Sequence, residues 1–392
     1  MKQLIYADNA ATTAISKNVL DGMMPYLTSE YGNPSSLYAF GRQTKQVLEE
    51  ARQKVANSIG CRVDEIIFTA GGSEADNLAL KGFMLGKTRR GSHIITTKIE
   101  HHAILEVCAF LEMCDFEVTY LDVDGKGMIS LDALKNAIRP DTALVSIMAA
   151  NNEVGTIQPI KEIGELCREN GIIFHTDAVQ AVGHVKIDVV DMKIDMLSLS
   201  GHKLHAPKGV GALYCRKGLN LMPTLHGGGQ EKSIRGGTEN VASIVGLGIA
   251  IDDAITNFEK NNAHAQKLRD RLIEKVLQIP YTHLTGHAED RLSGIASFVF
   301  EAVEGEGLLL MLDMHGICCS TGSACASGSL DPSHVLMAMG LPHEIAHGSL
   351  RVSLNETNTE EEVDLIAEKI SEVIDRLRQM SPVWDDMMKN KN

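Results

Sequence analysis

The segment 198–203, Ser-Leu-Ser-Gly-His-Lys, carries the most chemically suggestive side chains of this sequence. Lys203 follows a short apolar run, Met196–Ser200, which places it on a loop just past the carboxyl end of a predicted strand. Ligands of open α/β sheets bind at that edge. A lysine held there beside the hydroxyl of Ser200 and the imidazole of His202 suits an imine with a carbonyl cofactor, whose phosphate the flanking groups would hold. Taken alone, Lys203 is better explained as a solvated loop lysine, so the other polar motifs must decide.

A possible phosphate cradle lies at residues 70–76, Ala-Gly-Gly-Ser-Glu-Ala-Asp, between a predicted strand and a predicted helix. Glycines let a phosphate approach the main chain, and a helix N-terminus offers free N–H groups and a positive dipole end. Gly72 and Ser73 are the candidate phosphate ligands. The alternative is an ordinary helix start, with Ser73 and Asp76 forming a capping box.

Three further motifs follow predicted strands. Adjacent His101 and His102 point in different directions and make a poor metal pair, so one of them is an acid/base or ring-stacking group or both are surface histidines. Asn152 either holds a ring hydroxyl or a carboxylate or belongs to a turn. Asp177 either keeps a pyridine nitrogen protonated or caps a helix, with Gln180 one helical turn further on.

These candidates share one position in the predicted fold, just past the carboxyl ends of parallel strands. They are Gly72, Ser73, His101, Asn152, Asp177 and Lys203. Unrelated turns would not gather a phosphate cradle, a pyridinium partner and an imine lysine at one edge, so the clustering predicts a cofactor site. Two glycine-rich segments, 227–230 and 235–238, are either simple loops or additional phosphate contacts.

The second reactive candidate is Cys325, within the Gly/Ser-rich segment 320–329. A free cysteine is usually a small buried hydrophobe, but no large neighbour in this segment could bury Cys325. We therefore predict an exposed, reactive thiol on a mobile loop. Cys318 and Cys319, on a predicted strand, are expected to be core residues.

Apolar runs predict the elements that position these groups. Most runs are continuous rather than alternating, as expected for strands buried on both faces. Strands are predicted at Ile66–Thr69, His93–Thr97, Phe116–Leu121, Ala143–Ala149, Ile172–Thr176, Met196–Ser200, Val210–Tyr214, Ile295–Phe300, Gly316–Cys319 and Ser349–Leu354. Helices are predicted at Arg42–Ser58, Ala254–Leu277, Gly305–Met314, Pro332–Met339 and Thr359–Met380, the last with a capping box of Thr359 and Glu362.

The alternation of strands and helices predicts an α/β fold, with a mainly parallel sheet in a large domain and a smaller α+β domain after it. We assign residues 1–15 to an N-terminal segment packed on the small domain, 16–252 to the large cofactor-binding domain, and 253–392 to the small domain with the Cys325 loop. With 392 residues, of which 44% are hydrophobic, the chain can bury two cores.

Composition excludes several function classes. The net charge is −14 and aromatic residues make up 4% of the chain, which argues against nucleic acid as a partner. No run reaches the length of a membrane span, and the start of the chain lacks a signal-peptide core. Eight scattered cysteines without a CxxC pair indicate reduced thiols and a cytoplasmic location.

These motifs together resemble the cysteine desulfurases, fold-type I pyridoxal-phosphate enzymes, in the NifS/IscS branch. The resemblance runs nearly end to end. It is most specific at Ser200-Gly201-His202-Lys203, Thr176-Asp177-Ala178-Val179-Gln180, His226-Gly227-Gly228-Gly229 and Gly322-Ser323-Ala324-Cys325.

The resemblance implies pyridoxal 5'-phosphate as cofactor and L-cysteine as substrate, which becomes L-alanine while Cys325 keeps the sulfur as a persulfide. Lys203 would bond to the cofactor and move the Cα proton, Asp177 would pair with the ring nitrogen, Gln180 would contact the ring oxygen and His101 would stack on the ring. Phosphate ligands would be Gly72, Ser73, Ser200 and His202, with Thr238 from the second subunit of a homodimer. The substrate carboxylate region would meet Asn33, Asn152 and Arg351.

The family also implies a sulfur-acceptor protein, such as an iron–sulfur scaffold, or tRNA thiolation. No resident metal is expected, although Cys325 could contact a cluster transiently. The chain departs from the family pattern at Ala206, Gly236 and Asn355-Glu356, and its tail is shorter than scaffold-docking tails, which leaves the acceptor open. Two other functions stay open at this point: a selenocysteine lyase on the same scaffold, and a non-catalytic sulfur carrier using Cys318, Cys319 and Cys325.

Overall fold

The computed structural model describes residues 4–87, 89, 91–321 and 332–389. The strands in these ranges are β1 (Ile5–Tyr6), β2 (Ile66–Thr69), β3 (His93–Thr97), β4 (Glu117–Leu121), β5 (Thr142–Ser146), β6 (Ile173–Asp177), β7 (Met196–Ser200), β8 (Gly211–Cys215), β9 (Thr282–Leu284), β10 (Ile295–Phe300), β11 (Ile317–Cys318) and β12 (Ser349–Ser353). The helices are α1 (Lys17–Thr28), α2 (Ala39–Ser58), α3 (Gly72–Met84), α4 (His102–Glu112), α5 (Leu131–Ala137), α6 (Ile160–Glu169), α7 (Val241–Thr256), α8 (Phe258–Val276), α9 (Gly305–Met314), α10 (His334–Ala338), α11 (His343–Ala346), α12 (Glu360–Gln379) and α13 (Pro382–Lys389).

A large mixed sheet organises the first two thirds of the chain. Within the described ranges it has seven strands in the order β2-β8-β7-β6-β5-β3-β4. Only β8 runs against the others, antiparallel to both β2 and β7; the remaining neighbours are parallel. The predicted mainly parallel α/β fold is therefore confirmed, and six carboxyl ends meet at one edge.

Both faces of this sheet are buried, which explains its continuous apolar strands. Side chains alternate between the faces, so Ile66 and Phe68 of β2 belong to the core shared with α1, α2 and α7, whereas Ile67 belongs to the core beneath α3 and α4. Each predicted strand of the sheet is present. The largest difference is at β5, which was expected to reach Ala149 and ends at Ser146.

One predicted helix is wrong in its bounds. The sequence indicated a single helix over Ala254–Leu277, but α7 and α8 meet at Asn257 with a bend of 74°. The Gly/Ala-rich run before Ala254 is helical because its small residues permit close packing: a Cβ on Gly248 would lie 2.9 Å from the Cα of Ala51 in α2. The helix thus begins at Val241, well before its predicted start.

The C-terminal part has its own apolar core. Strands β12, β10 and β9 form an antiparallel sheet in that order, and α8, α9 and α12 cover it. The predicted capping box of Thr359 and Glu362 at α12 is confirmed. The predicted domain division stays a prediction; its boundary between residues 252 and 253 falls inside α7.

The N-terminal segment bridges the two sheets. β1 pairs in parallel with β11, and the main-chain N–H of Asn9 donates to the carbonyl of Ser353 in β12. The segment then crosses to the large sheet, where the N–H of Thr13 donates to the carbonyl of His202. It therefore runs directly past the carboxyl edge that the sequence singled out.

No single helix among the described residues is long and apolar enough to cross a membrane. α7 and α8 taken together reach that length, but they are sharply bent.

Candidate active site

The structure places seven of the predicted site residues at one edge of the large sheet. Each follows a strand of the parallel set, so the carboxyl ends bring them together. Gly72 and Ser73 follow β2, His101 follows β3, Asn152 follows β5, Asp177 ends β6, Ser200 ends β7, and Lys203 closes the short 3₁₀ turn after it.

Lys203 reaches across the edge to the N-terminal segment. Its Nζ donates to the carbonyl oxygens of Ala10 and Ala11 at 2.5 and 2.7 Å. Gln180 donates to the same Ala10 carbonyl through Nε2 at 2.9 Å. The turn over residues 10–11 therefore holds the amine and the amide beside each other.

Asp177 supplies a buried negative charge close to Lys203. Its side chain is 6% exposed, and Oδ1 accepts from the N–H of Val179 at 2.9 Å. Burial raises the pKa of Asp177, while the Val179 amide and the charge of Lys203 act in the opposite direction. A second cation beside this carboxylate, such as a protonated ring nitrogen, would stabilise its charged form.

His101 begins α4. Its Nδ1 accepts from the N–H of Ala103 at 3.1 Å, so a neutral ring carries its proton on Nε2. Burial lowers the pKa of His101, and the charges of Lys203 and His102 lower it further. His101 is thus a neutral imidazole near Lys203, able to accept or donate a proton.

The first turn of α3 forms a cradle open to an anion. Gly71 stands at the N-cap with φ 152° and ψ −176°, a conformation that is essentially restricted to glycine, and no side chain caps the helix. A Cβ on Gly71 would lie 3.8 Å from the hydroxyl of Ser200, and one on Gly72 would lie 2.6 Å from Cγ2 of Val179. The alternative capping box is wrong, because Ser73 already lies inside the helix.

The loop over 226–237 is fixed to the start of α3. Arg235 Nε and Glu74 Oε1 are 2.8 Å apart, and both side chains are 22% exposed. Thr238, three residues on, is exposed. Asn33 is exposed as well, and its Oδ1 accepts from Ser35 in its own loop at 2.9 Å. The described hydrogen bonds join neither Asn33 nor Thr238 to Lys203.

Arg351 enters the site from β12. Its side chain is 2% exposed; Nη2 donates to Asp8 Oδ1 and Nη1 to the carbonyl of Asn152, each at 2.8 Å. Its Nε is buried without a hydrogen-bond partner among the described residues. A guanidinium fixed in this way beside Asn152 can still donate a hydrogen bond to a carboxylate.

Comparisons with known proteins agree with this geometry. The class-V aminotransferase family model matches residues 5–366. The cysteine desulfurase IscS of Methanosarcina thermophila is 57% identical over 97% of this chain and 94% of its own length. The chain belongs to the class-V aminotransferase family, in its cysteine desulfurase branch.

Solved structures extend this result. A NifS-like protein superposes with a TM-score of 0.90 at 39% identity, covering 95% of this chain and all of that one. A structure of SspA in complex with cysteine superposes with a TM-score of 0.80 at 40% identity, covering 90% and 99% of the two chains.

The edge of this desulfurase has the donors that a phosphorylated pyridine aldehyde needs. A phosphate could be held by the first turn of α3 together with Ser200 and His202. Asp177 could pair with a ring nitrogen, and Lys203 could bond to an aldehyde carbon. His202 Nδ1 is 3.1 Å from Thr12 Oγ1, and burial, with the charges of Lys203 and Lys208, lowers its pKa to about 4. No group of three or more metal-ligating side chains is found in the described part of the chain.

Cys325 lies outside the residues that the structure describes. The described residues on both sides of its segment contact the site of the desulfurase. Ser320 exchanges two main-chain hydrogen bonds with Arg351, at 3.1 and 2.6 Å. Ser333 Oγ donates to Glu153, whose pKa burial raises to about 7.

Sequence reasoning missed several side chains around this site. They are Asp8, Thr12, Glu153 and Ser333, each of which contacts a predicted site residue or its neighbour. A polar N-terminal segment was visible in the sequence, but nothing local paired Asp8 with a residue 343 positions away. Cys318 and Cys319, both expected to be core residues, are half-buried and bridge to no other described cysteine. Cys319 packs against the C-terminal core, whereas Cys318 belongs to no apolar core cluster of the described residues.

Proposed function

We propose that this cysteine desulfurase binds pyridoxal 5'-phosphate and converts L-cysteine to L-alanine, passing the sulfur to Cys325. One observation carries the proposal: Lys203, Asp177 and His101 converge at a sheet edge whose glycine cradle and Ser200 suit a phosphate. A non-catalytic sulfur carrier would need none of these groups.

The cofactor, when bound, would supply the aldehyde and the electron-accepting ring that weaken the Cα–H bond of an amino acid. Lys203 would hold the cofactor covalently at Nζ and, once released by substrate, take the proton from Cα. Asp177 would keep the ring nitrogen protonated through its buried carboxylate. Gln180 would donate to the ring oxygen, and His101 would stack on the ring and exchange protons at Nε2.

The substrate carboxylate would lie against Arg351, with Asn152 and Asn33 beside it. Arg351 is buried and held from two sides, so its position is set before substrate arrives. A charge-assisted, preorganised donor of this kind orients a small amino acid strongly. This assignment predicts that the carboxylate end of cysteine points toward Arg351.

Cys325 would attack the substrate sulfur as a thiolate. A sulfur–sulfur bond forms and the carbon–sulfur bond breaks; the carbon fragment is protonated and leaves as L-alanine. The persulfide on Cys325 would then pass to an acceptor for iron–sulfur cluster assembly or tRNA thiolation. The seven described cysteines carry no disulfide, which supports a reducing, cytoplasmic setting.

The active unit would be a homodimer with shared sites. The loop that carries Asn33 also exposes Tyr31, Leu37 and Tyr38, which are 72, 90 and 60% exposed in the single chain. Large apolar side chains gathered in this way are typical of a protein interface. A second subunit there would bring its Thr238 to the phosphate.

The proposal is tested on purified protein. We expect a yellow protein that yields equal amounts of alanine and sulfide from L-cysteine with a thiol reductant. Borohydride reduction followed by peptide mapping should place the cofactor on Lys203, and Lys203→Ala should bind it only non-covalently. A label on another lysine, or turnover in Lys203→Ala, would overturn the assignment; a strong preference for selenocysteine would favour the lyase.

A further inference from the structure

His205 lies two residues after Lys203 and is held in an unusual main-chain conformation. Its φ is 61°, in the left-handed region that few residues other than glycine and asparagine adopt. The main-chain N–H of His205 donates to Thr13 Oγ1 at 2.9 Å, and Nδ1 lies 2.9 Å from the carbonyl of Ala14. A carbonyl only accepts, so Nδ1 carries a proton in every charge state of the ring.

The other ring nitrogen, Nε2, faces two side chains of the turn after β12. Glu356 Oε1 is 3.2 Å away and Asn355 Nδ2 is 3.3 Å away. The orientation of the Asn355 amide is fixed, because Nδ2 also donates to Asn9 and Oδ1 accepts from Thr357. A neutral ring can therefore accept from Asn355, whereas a protonated ring donates to Glu356.

A second histidine supports the same loop. The ring of half-buried His184 hydrogen-bonds the main chain of Lys203, and the charges of Glu356 and His205 also act on this ring. The main chain at Lys203 is thus fixed by His184. Two residues further on, the side chain of His205 contacts the turn after β12. That turn begins four residues after Arg351 on the same strand connection.

We infer that His205, with Glu356 and Asn355, forms a latch that positions β12 and its Arg351 relative to Lys203, and that protonation of His205 moves the latch from its amide partner to its carboxylate partner. The inference rests on the proposed roles of Lys203 and Arg351. His205 is a positioning residue, because it acts through these two groups.

Solvent reaches the latch through a cleft of about 930 Å³ that both His205 and Glu356 line. The exposed fractions of their side chains are 20% and 33%. The other charged or titratable side chains along this cleft are Tyr6, Lys17, His184, Lys203, Lys208, Asp253 and Lys260. Protons can therefore exchange with the latch while the fold stays intact.

The titrations of His205 and Glu356 set the pH range in which both groups of the latch are charged. Burial alone would lower the pKa of His205, but the bond to Glu356 and its charge raise it above the ordinary 6.5. Burial would raise the pKa of Glu356, but the same bond and the charge of His205 bring it below 4.5. The stabilisation from His205 is full below 6.5 and is lost as pH rises through its raised pKa. The stabilisation from Glu356 is full above 4.5 and is lost as pH falls through its lowered pKa, so the ion pair contributes most between those values.

The test compares Glu356→Gln with Glu361→Gln, which removes the same charge from an exposed position five residues on. At about pH 6, Glu356→Gln should raise KM for cysteine about two- to fivefold with kcat nearly unchanged, since a partly exposed ion pair is lost. Near pH 9, where His205 is neutral and uses Asn355, the variant should match the wild type. Glu361→Gln should match it at both values.

Two measurements on the full-length protein need no turnover. Nitrogen-15 spectra of labelled histidines, assigned with His205→Asn, should show Nδ1–H in the neutral ring and a lower pKa for His205 in Glu356→Gln. Unfolding by urea should show a stability loss in Glu356→Gln that peaks between about pH 4.5 and 6.5. An unchanged His205 titration, or a KM shift independent of pH, would overturn the latch. Absence of sulfide from the wild type would instead count against the proposed function.

Discussion

Asp8 and Arg351 form an ion pair between a half-buried carboxylate and a buried guanidinium, and the pair ties the N-terminal segment to the strand proposed to bind substrate. Asp8 Oδ1 and Arg351 Nη2 are 2.8 Å apart, and the arginine is 2% exposed. The same guanidinium holds the carbonyl of Asn152. Asp8 thereby neutralises Arg351 without occupying its whole donor set, since Nε has no partner among the described residues.

Asp8→Asn should therefore reduce stability and alter substrate affinity together. Removal of Asp8 leaves the buried Arg351 with a desolvated charge; this costs about 3–5 kcal/mol in a fully buried pair and less here, because Asp8 is 19% exposed. KM for cysteine should change because Arg351 loses a fixed partner and its guanidinium can shift. Urea unfolding and steady-state kinetics measure the two effects. Asp21→Asn, which breaks an exposed pair with Lys17, is the matched control and should cost less than about 1 kcal/mol. Equal losses in both variants would contradict this account.

Asp177 is expected to trade stability for function. Burial raises its pKa above the ordinary 3.8 in the folded protein. The unfolded chain therefore releases this proton first, and the cofactor-free protein loses stability as pH rises from 3.8 toward the raised pKa. Asp177→Asn should make the cofactor-free protein more stable at neutral pH by about 1–2 kcal/mol, with a difference that disappears in acid. The loaded variant should keep much of its cofactor and lose most of its rate. Lower stability of the cofactor-free variant, or normal turnover, would show that Asp177 has another role.

The sequence was informative wherever a single segment contains both the element and its chemistry. Strands buried on both faces are continuous apolar runs, and ligands of such sheets bind just past the carboxyl ends of the strands. Asp177 and Lys203 could therefore be identified without coordinates. α7 was misjudged because Gly246 and Gly248 weaken a helical pattern locally, whereas packing against α1 and α2 stabilises it.

Contacts between distant segments could not be predicted in this way. Asp8 meets Arg351 across 343 positions, and His205 meets Asn355 across 150. Each partner is an ordinary polar residue in its own segment, with no periodicity or spacing to mark it. The topology, in which β1 pairs with β11 and the N-terminal segment then crosses to the large sheet, is what brings them together.

Shared sites in a homodimer can be tested with mixed dimers. One subunit would carry Lys203→Ala and the other Thr238→Ala. If Thr238 acts on the partner's phosphate, one site loses both groups and the other keeps both, so the heterodimer should retain about half of the wild-type rate. If Thr238 acts within its own chain, each site loses one group and nearly all activity should vanish. Homodimers of each variant provide the baselines.

Replacement of Cys325 should block sulfur transfer without blocking the binding of cofactor and substrate. The other thiols near the site are poor nucleophiles: burial raises the pKa of both Cys318 and Cys319, and the nearby charge of Asp8 raises them further, so each stays protonated. Cys325→Ala should still bind pyridoxal phosphate and show a spectral change on addition of cysteine, yet release almost no sulfide. Cys318→Ala and Cys319→Ala are the controls and should keep most of the activity.

The fate of the sulfur distinguishes this role from a structural one. After brief exposure of the wild type to cysteine, mass spectrometry of alkylated peptides should show one additional sulfur on the peptide that contains Cys325. Cys318 and Cys319 precede Cys325 by only a few residues, so the digestion must place them on a different peptide from Cys325. An additional sulfur on either of those residues, or full desulfurase activity in Cys325→Ala, would assign the acceptor role to another thiol. Because both half-buried cysteines lie beside Asp8, whose carboxylate disfavours a second negative charge, we expect the sulfur on Cys325.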